Sequence, residues 1–395
     1  MMSLKARREL LAAVSPRYRQ ALAREKGPIL DEFVRNTGYD RKYAIRILNH
    51  PPREGRKAKR RRARKYTLAV KQALLTLWHA ANGICSKRLV PYLPELIAVL
   101  ERHEGLCLDA ATKVLLIGIS PATVDRLLRR ERLGLKGRGL PTTKPGTLLK
   151  RQIPIRTFSD WDEAQAGFME ADLVAHCGTS TDGEYLHTLV LTDIHTTWTE
   201  CLALLNRSQF TVSTAIAQVR SVLPFPLLGL DSDNGSEFIN ATLLRYCQHE
   251  RITFTRSRAY QKNDQAHVEQ KNWTHVRQFV GYGRYVGEEA YLVLNALCET
   301  LRLYMNFFQP TLKLVAKEHI GTHVRKRYDT SRTPYQRVLE SPEVPEQTKS
   351  QLRVLYASLS PCALLHHMER LQKRLWTLET VRSVNEATIP LKCDS

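Results

Sequence analysis

The chain has 395 residues, a length that predicts two or more domains, and its hydrophobic content of 43% is sufficient for packed cores. Its 60 lysines and arginines outnumber its 39 aspartates and glutamates, which gives a formal net charge of +21. This surplus predicts a polyanionic partner, with nucleic acid first. A basic membrane-surface protein is the alternative class, but the sequence lacks the run of about 20 apolar residues that a membrane-spanning helix needs.

Cysteine usage and the first residues indicate the cellular compartment. The 8 cysteines are scattered without a Cys-x-x-Cys pair, a pattern typical of reduced thiols in the cytosol. The opening M-M-S-L-K-A-R-R-E-L-L lacks the long apolar segment of a signal peptide. We therefore expect a cytoplasmic protein, which in a bacterium would associate with the nucleoid.

Residues 1–50 are predicted to be helical and to contain a helix-turn-helix. Apolar positions recur at helical spacing over residues 29–34 and 43–48, with a turn at Gly38 between them. The second helix exposes three basic residues, Arg41, Lys42 and Arg46. Such a helix can enter the major groove of DNA. An ordinary helical hairpin is the alternative.

Residues 51–65 are predicted to be a basic linker. Nine of the thirteen residues from 53 to 65 are Arg or Lys, among them Arg60, Arg61 and Arg62. A block of like charge repels itself and resists compact folding. Between helical modules we expect it to follow phosphates or to lie in a minor groove. A nuclear localisation signal is the alternative, and it fits only a eukaryotic host.

Residues 66–133 are predicted to form a second helix-turn-helix module. In its closing pattern G-I-S-P-A-T-V-D-R-L-L, Ser120 is a good N-cap and Pro121 takes the first helical position. The apolar side chains of this helix face inward, which leaves Arg126 and Arg129 available to DNA.

Residues 167–310 are predicted to form an α/β domain after a Gly-, Pro- and Lys-rich linker at 134–166. The patterns follow in the order strand 168–176, strand 185–194, strand 197–204, helix 208–222, strand 227–232, helix 240–250, strand 252–256, and a further helix. Successive strands followed by strand–helix alternation favour a mixed central sheet flanked by helices.

Three acidic residues of this domain are predicted to form a metal site. Asp172 lies within the first strand, Asp233 follows a buried strand in a D-N-G turn, and Glu269 lies on a helix. Like charges raise one another's pKa unless a cation sits between them. Carboxylate oxygens suit Mg²⁺ or Mn²⁺. Asp231, on the same strand face as Asp233, and Asp193 are the competing acids.

Two lysines near Glu269 are candidate DNA contacts. Lys262 precedes it and Lys271 follows it by two residues. Both are expected to position the DNA backbone, with a solvated surface as the alternative.

The acidic motifs resemble the integrase core shared by retroviral integrases and Asp-Asp-Glu bacterial transposases. The matching residues are Asp172 in M-E-A-D-L-V, Asp233 in D-S-D-N-G-S-E-F and Glu269 in V-E-Q-K-N. The interval of 35 residues between Asp233 and Glu269 (269 − 233 − 1) is a feature of that family. The resemblance covers about residues 167–310.

Two later segments extend the resemblance to transposases. They are Y-M-N-F-F-Q-P at 304–310 and T-P-Y-Q-R-V-L at 333–339, which resemble segments that follow the core in many of them. Retroviral integrases carry a His/Cys zinc module before the core. The sequence shows no such spacing, which favours the bacterial branch.

The resemblance implies an RNase H-like core and a polynucleotidyl transferase. Such an enzyme cleaves phosphodiesters and transfers strands at the ends of a mobile element. The family arrangement implies two Mg²⁺ or Mn²⁺ ions held by Asp172, Asp233 and Glu269, with Asp172 bridging them. It also implies a homo-multimer on double-stranded DNA.

Residues 311–395 are predicted to be a basic and mainly helical region. The segment 313–328 is rich in Lys and Arg and is expected to line DNA, and residues 344–380 carry a leucine stripe typical of helical packing.

Two other functions stay open. A metal-dependent nuclease could use a similar core, but it would not need two recognition modules before it. A non-catalytic DNA-binding regulator derived from a transposase would keep those modules and lose an acid, and here all three acids are present.

Overall fold

The computed structural model describes residues 2–50, 65–132, 165–257, 266–320 and 323–380. Contacts between residues divide the chain into two compact units, Met1–Lys65 and Tyr66–Ser395. The basic linker and the Gly- and Pro-rich linker fall almost wholly outside the described residues. Among the described residues, no helix is both long enough and apolar enough to span a membrane.

The first unit is a small helical bundle. Its helices are α1 (Leu4–Gln20), α2 (Ala23–Thr37) and α3 (Arg41–Asn49). Gly38, with φ of 67°, ends α2 in the left-handed region that glycine favours. The Asp40 side chain then caps α3 by accepting backbone N–H groups. A turn of three residues therefore joins two helices that share one apolar core.

The second unit contains the other described elements. Its helices are α4 (Leu68–Ala80), α5 (Ser86–His103), α6 (Ala110–Ile117), α7 (Pro121–Leu127), α8 (Gln209–Val222), α9 (Ala241–His249), α10 (Ala266–Lys271), α11 (Gln278–Val280), α12 (Gly287–Phe308), α13 (Pro334–Glu340), α14 (Glu346–Ser358) and α15 (Pro361–Thr377). Its strands are β1 (Phe168–Ala175), β2 (His187–Asp193), β3 (Thr199–Leu204), β4 (Gly229–Ser232), β5 (Thr253–Arg256), β6 (Leu314–Ile320) and β7 (His323–Tyr328).

A mixed sheet lies at the centre of the second unit. Its described strands follow the order β3-β2-β1-β4-β5. β1, β2 and β3 are antiparallel neighbours, whereas β4 runs parallel to β1 and β5 runs parallel to β4. The predicted mixed sheet of an α/β core is confirmed. The observed strands are a little shorter than the apolar patterns because the sheet hydrogen bonds stop before the turns.

The end of α12 fastens the sheet to the second helical module. Asn306 accepts the backbone N–H of Thr199 at 2.9 Å and donates to its carbonyl at 2.8 Å. The Tyr304 hydroxyl donates to the Ala80 carbonyl at 2.9 Å. The segment Y-M-N-F-F-Q-P at 304–310 therefore joins β3, α12 and α4.

The same unit includes the carboxyl-terminal helices. Glu95 on α5 accepts hydrogen bonds from the Tyr356 hydroxyl on α14 and from Gln336 on α13. Val99 of α5 and Leu375 of α15 belong to the apolar core that includes the sheet. The second helical module, the sheet and the last helices thus pack as one body.

The carboxyl-terminal region differs from the prediction in one element. Leu314–Ile320 and His323–Tyr328, expected as a basic segment of a mainly helical region, pair as the antiparallel strands β6 and β7, which we call the β6–β7 hairpin. Arg325, Lys326 and Arg327 are all exposed on β7, so the strand lacks the apolar alternation that identifies strands in a sequence. The helical pattern at 344–380 is confirmed, with a break before Pro361.

Candidate metal centre and DNA contacts

Two of the predicted metal ligands lie side by side at the sheet. β1 and β4 are parallel, and their last register pair is Ala171 with Ser232. Asp172 directly follows Ala171 in β1, and Asp233 directly follows Ser232 at the end of β4. Residues paired across neighbouring strands project to the same face. The charge of Asp233 raises the pKa of Asp172, although burial is the larger cause of that rise.

The turn after β4 holds the Asp233 side chain. Its Oδ1 accepts the backbone N–H of Gly235 at 2.8 Å. A Cβ atom at position 235 would lie 2.9 Å from the same oxygen, so a larger residue there would displace the Asp233 carboxylate. Asn234 donates to the Ser257 carbonyl at 2.8 Å and ties the turn to the end of β5. Burial raises the pKa of Asp233, and the hydrogen bond from the Gly235 N–H opposes that rise.

Asp172 is tied to the helix that carries Glu269. Its Oδ2 accepts a hydrogen bond from Asn272 Nδ2 at 2.6 Å, and its Oδ1 accepts the Leu173 N–H at 2.7 Å. Asn272 follows Glu269 by three residues, a spacing that places side chains on neighbouring positions of one helix face. The Glu269 charge contributes to the raised pKa of Asp172. All three predicted acids therefore belong to one neighbourhood.

Glu269 lies near the aspartate pair but is not close enough to bind one metal ion together with it. Its side chain is exposed on α10. In the described ranges, no three His, Cys, Asp or Glu side chains are grouped closely enough to hold one ion together. The helix also changes character here, because residues Asn272–Arg277 form a π-helical segment between α10 and α11. Such segments are frequent at functional sites.

The two competing acids have structural partners. Asp231, in β4, is buried and accepts the Thr255 hydroxyl at 2.5 Å. Asp193 accepts the Gly167 N–H at 2.8 Å and both the N–H and the hydroxyl of Thr196 at 2.6 Å. Asp193 therefore shapes the β2–β3 turn. Neither acid is placed like Asp233 at the open end of β4.

The residues present fit a divalent cation. A cation between Asp172 and Asp233 would remove their mutual repulsion and receive the hard oxygen ligands that Mg²⁺ prefers. The Asn272 Oδ1 atom is buried and has no hydrogen-bond partner among the described residues. It is a further oxygen beside the pair. Glu269 would have to approach the aspartates to share an ion with them.

The sequence interpretation missed one contributor to this site. Glu170, two residues before Asp172 on β1, is fully buried and its Oε2 accepts the Val268 N–H of α10. The spacing of two in M-E-A-D places both acids on one strand face. That spacing was the available signal.

Comparison with known proteins identifies the family. No family model matches the chain. The chain is 46% identical, over 326 residues, to the uncharacterized protein y4rM of Sinorhizobium fredii (strain NBRC 101917 / NGR234). The match covers 82% of this chain and 93% of that protein. The chain belongs to the y4rM family.

Two solved structures are similar to this y4rM-family chain over their own length. The catalytic core domain of BIV integrase matches with 19% identity and a TM-score of 0.31, over 47% of this chain and 98% of that core. The HTLV-2 integrase catalytic core domain, in complex with magnesium, matches with 15% identity and a TM-score of 0.28, over 37% and 91% of the two chains.

The candidate DNA contacts of the first unit lie on α3. Arg41 forms an ion pair with Asp31 of α2 and remains half exposed. Lys42 is exposed. The Arg46 guanidinium is also exposed and lies 5.1 Å from the centre of the Tyr43 ring. α3 of this y4rM-family chain therefore presents a basic face beside the turn.

The two candidate DNA contacts of the second helical module, Arg126 and Arg129, differ in their position relative to α7. The predicted N-cap is confirmed, since the Ser120 side chain accepts the Thr123 N–H. Arg126 is exposed on α7 and donates to the Thr123 hydroxyl at 3.0 Å. α7 ends at Leu127, so Arg129 is exposed in the turn after the helix and not on it.

The remaining candidates lie elsewhere. Arg60, Arg61, Arg62 and Lys262 are outside the described residues. Lys271 differs from the expected surface contact, because only 6% of the residue is exposed and its Nζ donates to the Thr197 carbonyl at 3.4 Å. Burial lowers the pKa of Lys271 to about 7. The Lys271 side chain therefore points into the protein and not toward solvent.

Proposed function

We propose that this y4rM-family chain is an Asp-Asp-Glu polynucleotidyl transferase, a transposase that cuts and joins DNA at the ends of a mobile element. The single observation that carries the proposal is the proximity of Asp172 and Asp233, which directly follow the last register pair of the parallel strands β1 and β4. Glu269 supplies the third acid from a helix that Asn272 connects to Asp172. The resemblance of the acidic motifs to transposases supports the same assignment.

The residues of the site divide into metal ligands and groups that orient those ligands. Asp172, Asp233 and Glu269 would hold two Mg²⁺ or Mn²⁺ ions, which when bound activate the attacking hydroxyl and stabilise the leaving oxygen. Asn272 orients the Asp172 carboxylate, and the Gly235 N–H orients that of Asp233. No protein nucleophile is required, so DNA stays free of covalent attachment.

DNA recognition is proposed to reside in the helical modules. α3 with Arg41, Lys42 and Arg46 would enter one major groove, and α7 with Arg126 would enter another. Arg60, Arg61 and Arg62 would neutralise phosphates between them. The element ends would thus be recognised by residues 1–50 and 66–133. Residues 167–310 would perform the chemistry. Residues 311–395 would line the DNA and contribute to a homo-multimer.

The experiment compares variants of the full chain on duplex DNA that carries the element's terminal repeats. We expect Asp172→Asn, Asp233→Asn and Glu269→Gln each to reduce cleavage and joining by more than about a hundredfold, because a lost metal ligand removes several kcal/mol of transition-state stabilisation. Affinity for the same DNA, measured by fluorescence anisotropy without metal, should stay within about twofold, since the modules make those contacts.

Asp231→Asn is the matched control, because the same chemical change falls two residues away on β4. Its activity should remain close to that of the unsubstituted chain. Equal damage from Asp231→Asn would reassign the second ligand. Cleavage without joining would favour a nuclease, and specific binding without cleavage would favour a regulator.

A further inference from the structure

A basic cavity lies within the second unit, away from the aspartate pair. It has a volume of about 790 Å³ and opens between the start of α5, the helix after Glu269, and the β6–β7 hairpin. This volume falls in the range of about 300–1,000 Å³ that holds small ligands. Neither Asp172 nor Asp233 lines it. The cavity is therefore separate from the candidate metal centre.

The charge of the lining is of one sign. Four cationic side chains line the cavity: Arg88, Lys271, Lys313 and Lys326. None of the described residues that line it is Asp or Glu. The nearby Asp329 is engaged elsewhere, since it pairs with Arg337 at 2.8 Å and accepts the Lys313 backbone N–H. Arg88, Lys313 and Lys271 donate to the backbone carbonyls of Pro310, His195 and Thr197. These neutral partners leave the positive charge of the lining uncompensated, which favours an anion in the cavity.

Two of the lining side chains are almost fully buried. Lys271 is 6% exposed, and its Nζ has one long contact to a carbonyl. His275, one turn later, is 4% exposed, and its Nε2 atom has no hydrogen-bond partner among the described residues. A buried polar atom without a partner costs free energy. An anion in the cavity would give Lys271 a charged partner, and it would accept a hydrogen bond from His275 in the tautomer that carries its proton on Nε2.

We propose that this cavity binds phosphate groups, carried either by a DNA strand or by a free nucleotide. Arginine and lysine together with a buried imidazole match the oxygens of a phosphate chain. The hydroxyls of Thr197, Thr274 and Thr311 also line the cavity, where each already has a hydrogen-bond partner within the protein. An anion held by Lys271 would also contact the helix that bears Glu269.

The first measurement is the affinity of the full chain for inorganic triphosphate, by calorimetry without divalent metal. The double variant Lys313→Gln/Lys326→Gln should weaken binding by at least about tenfold, because it removes two positive charges that face the anion. Arg325→Gln/Arg327→Gln is the matched control, since both residues are exposed on the same hairpin outside the lining. Its affinity should change by less than about twofold. Absent binding, or equal weakening by both pairs, would overturn the proposal.

A second measurement addresses the buried lysine. Lys271→Met keeps the length of the side chain and removes its charge. We expect the variant to have a higher Tm than the parent without triphosphate and to lose most of the Tm increase that triphosphate gives the parent. An unchanged triphosphate effect on Tm would remove Lys271 from the site and contradict the proposal.

Competition then distinguishes the two sources of phosphate. A single-stranded oligonucleotide that displaces triphosphate with or without a 5′-phosphate assigns the cavity to the backbone of a DNA strand, and displacement by the 5′-phosphorylated form alone assigns it to a DNA end. Displacement by ATP alone assigns it to a free nucleotide. Because no cleavage is measured, the outcome is independent of the proposed transferase activity.

Discussion

The carboxylate of Glu170 accepts the backbone N–H of Val268 at 2.7 Å, across the gap between β1 and α10. Val268 directly precedes Glu269. One strand therefore presents Asp172 to the metal centre and, two residues earlier, anchors the helix that carries the third acid. Glu170 is a positioning residue in this arrangement.

Replacing Glu170 should change how readily the metal centre assembles. Glu170→Met removes the acceptor, and we expect at least about a tenfold loss of cleavage and a higher Mg²⁺ concentration for half-maximal activity, because a buried N–H left without its acceptor costs roughly 1–3 kcal/mol. Glu170→Gln keeps an acceptor oxygen and should stay within a few-fold of the parent. The measurement is cleavage against Mg²⁺ concentration. Equal loss in both variants, with unchanged Mg²⁺ dependence, would indicate a packing role only.

The aspartate pair should cost stability in the metal-free protein. Burial raises the folded-state pKa of Asp172, so stability is fullest below the unfolded pKa and falls as pH rises through the folded pKa of about 7. Asp172→Asn should therefore raise Tm at pH 8 by at least about 2 °C, with the difference shrinking toward pH 4. Exposed Glu369→Gln is the control and should have no such effect. Calorimetry with and without Mg²⁺ should show metal stabilising only the parent, and a lower Tm of Asp172→Asn at pH 8 would contradict this account.

His187 should make the fold sensitive to acid. Burial, with a smaller contribution from Arg207, lowers its pKa to about 4. A depressed histidine pKa means that stability is present above the unfolded value near 6.5 and is lost as pH falls toward 4. The loss amounts to roughly 3 kcal/mol over that interval. Urea unfolding of His187→Phe should show a shallower decline between pH 6.5 and 4.

The exposed His366 provides the comparison for that experiment, and His366→Phe should follow the parent's pH profile. Burial also lowers the pKa of His176, so His187→Phe should remove only part of the acid sensitivity. A profile for His187→Phe that coincides with the parent's would show that His187 is protonated in the folded state at little cost.

Arginines of the helical modules should divide into two classes. Substituting Arg126 and Arg129 by Ala should reduce the preference for element ends over random DNA, by about 1–3 kcal/mol for each arginine that reads a base. Neutralising Arg60, Arg61 and Arg62 should weaken binding to every sequence and lower the salt dependence by about 0.9 in log–log slope for each lost phosphate contact. Competition binding at two salt concentrations measures both. Unchanged discrimination after the first substitution would assign α7 to packing.

The strands around the metal centre were predictable because each combines an apolar run with an acidic residue or a turn signal. Asp172 lies within β1 and Asp233 directly follows β4, and each belongs to an acidic motif that the sequence shows. Burial of Lys271 was not predictable, since a lysine among polar residues on a helix normally indicates a solvated face. The carbonyl that its Nζ contacts belongs to Thr197, which is distant in sequence. The hairpin was missed for a different reason: its exposed positions mix apolar residues such as Val315 and Val324 with basic ones, so no alternation of apolar and polar residues marks its strands.

The helix α15 packs on α12, and Gln372 donates to the Phe279 carbonyl at 2.7 Å. α5 meets the same body through Glu95 and Val99. A gene fragment limited to residues 167–310 would expose all of this apolar surface to water, and we expect it to accumulate as inclusion bodies. The joint near Lys65 divides the two units. We expect recombination between relatives to exchange the first helical bundle at this boundary. A crossover within Tyr66–Ser395 would separate elements that pack on one another.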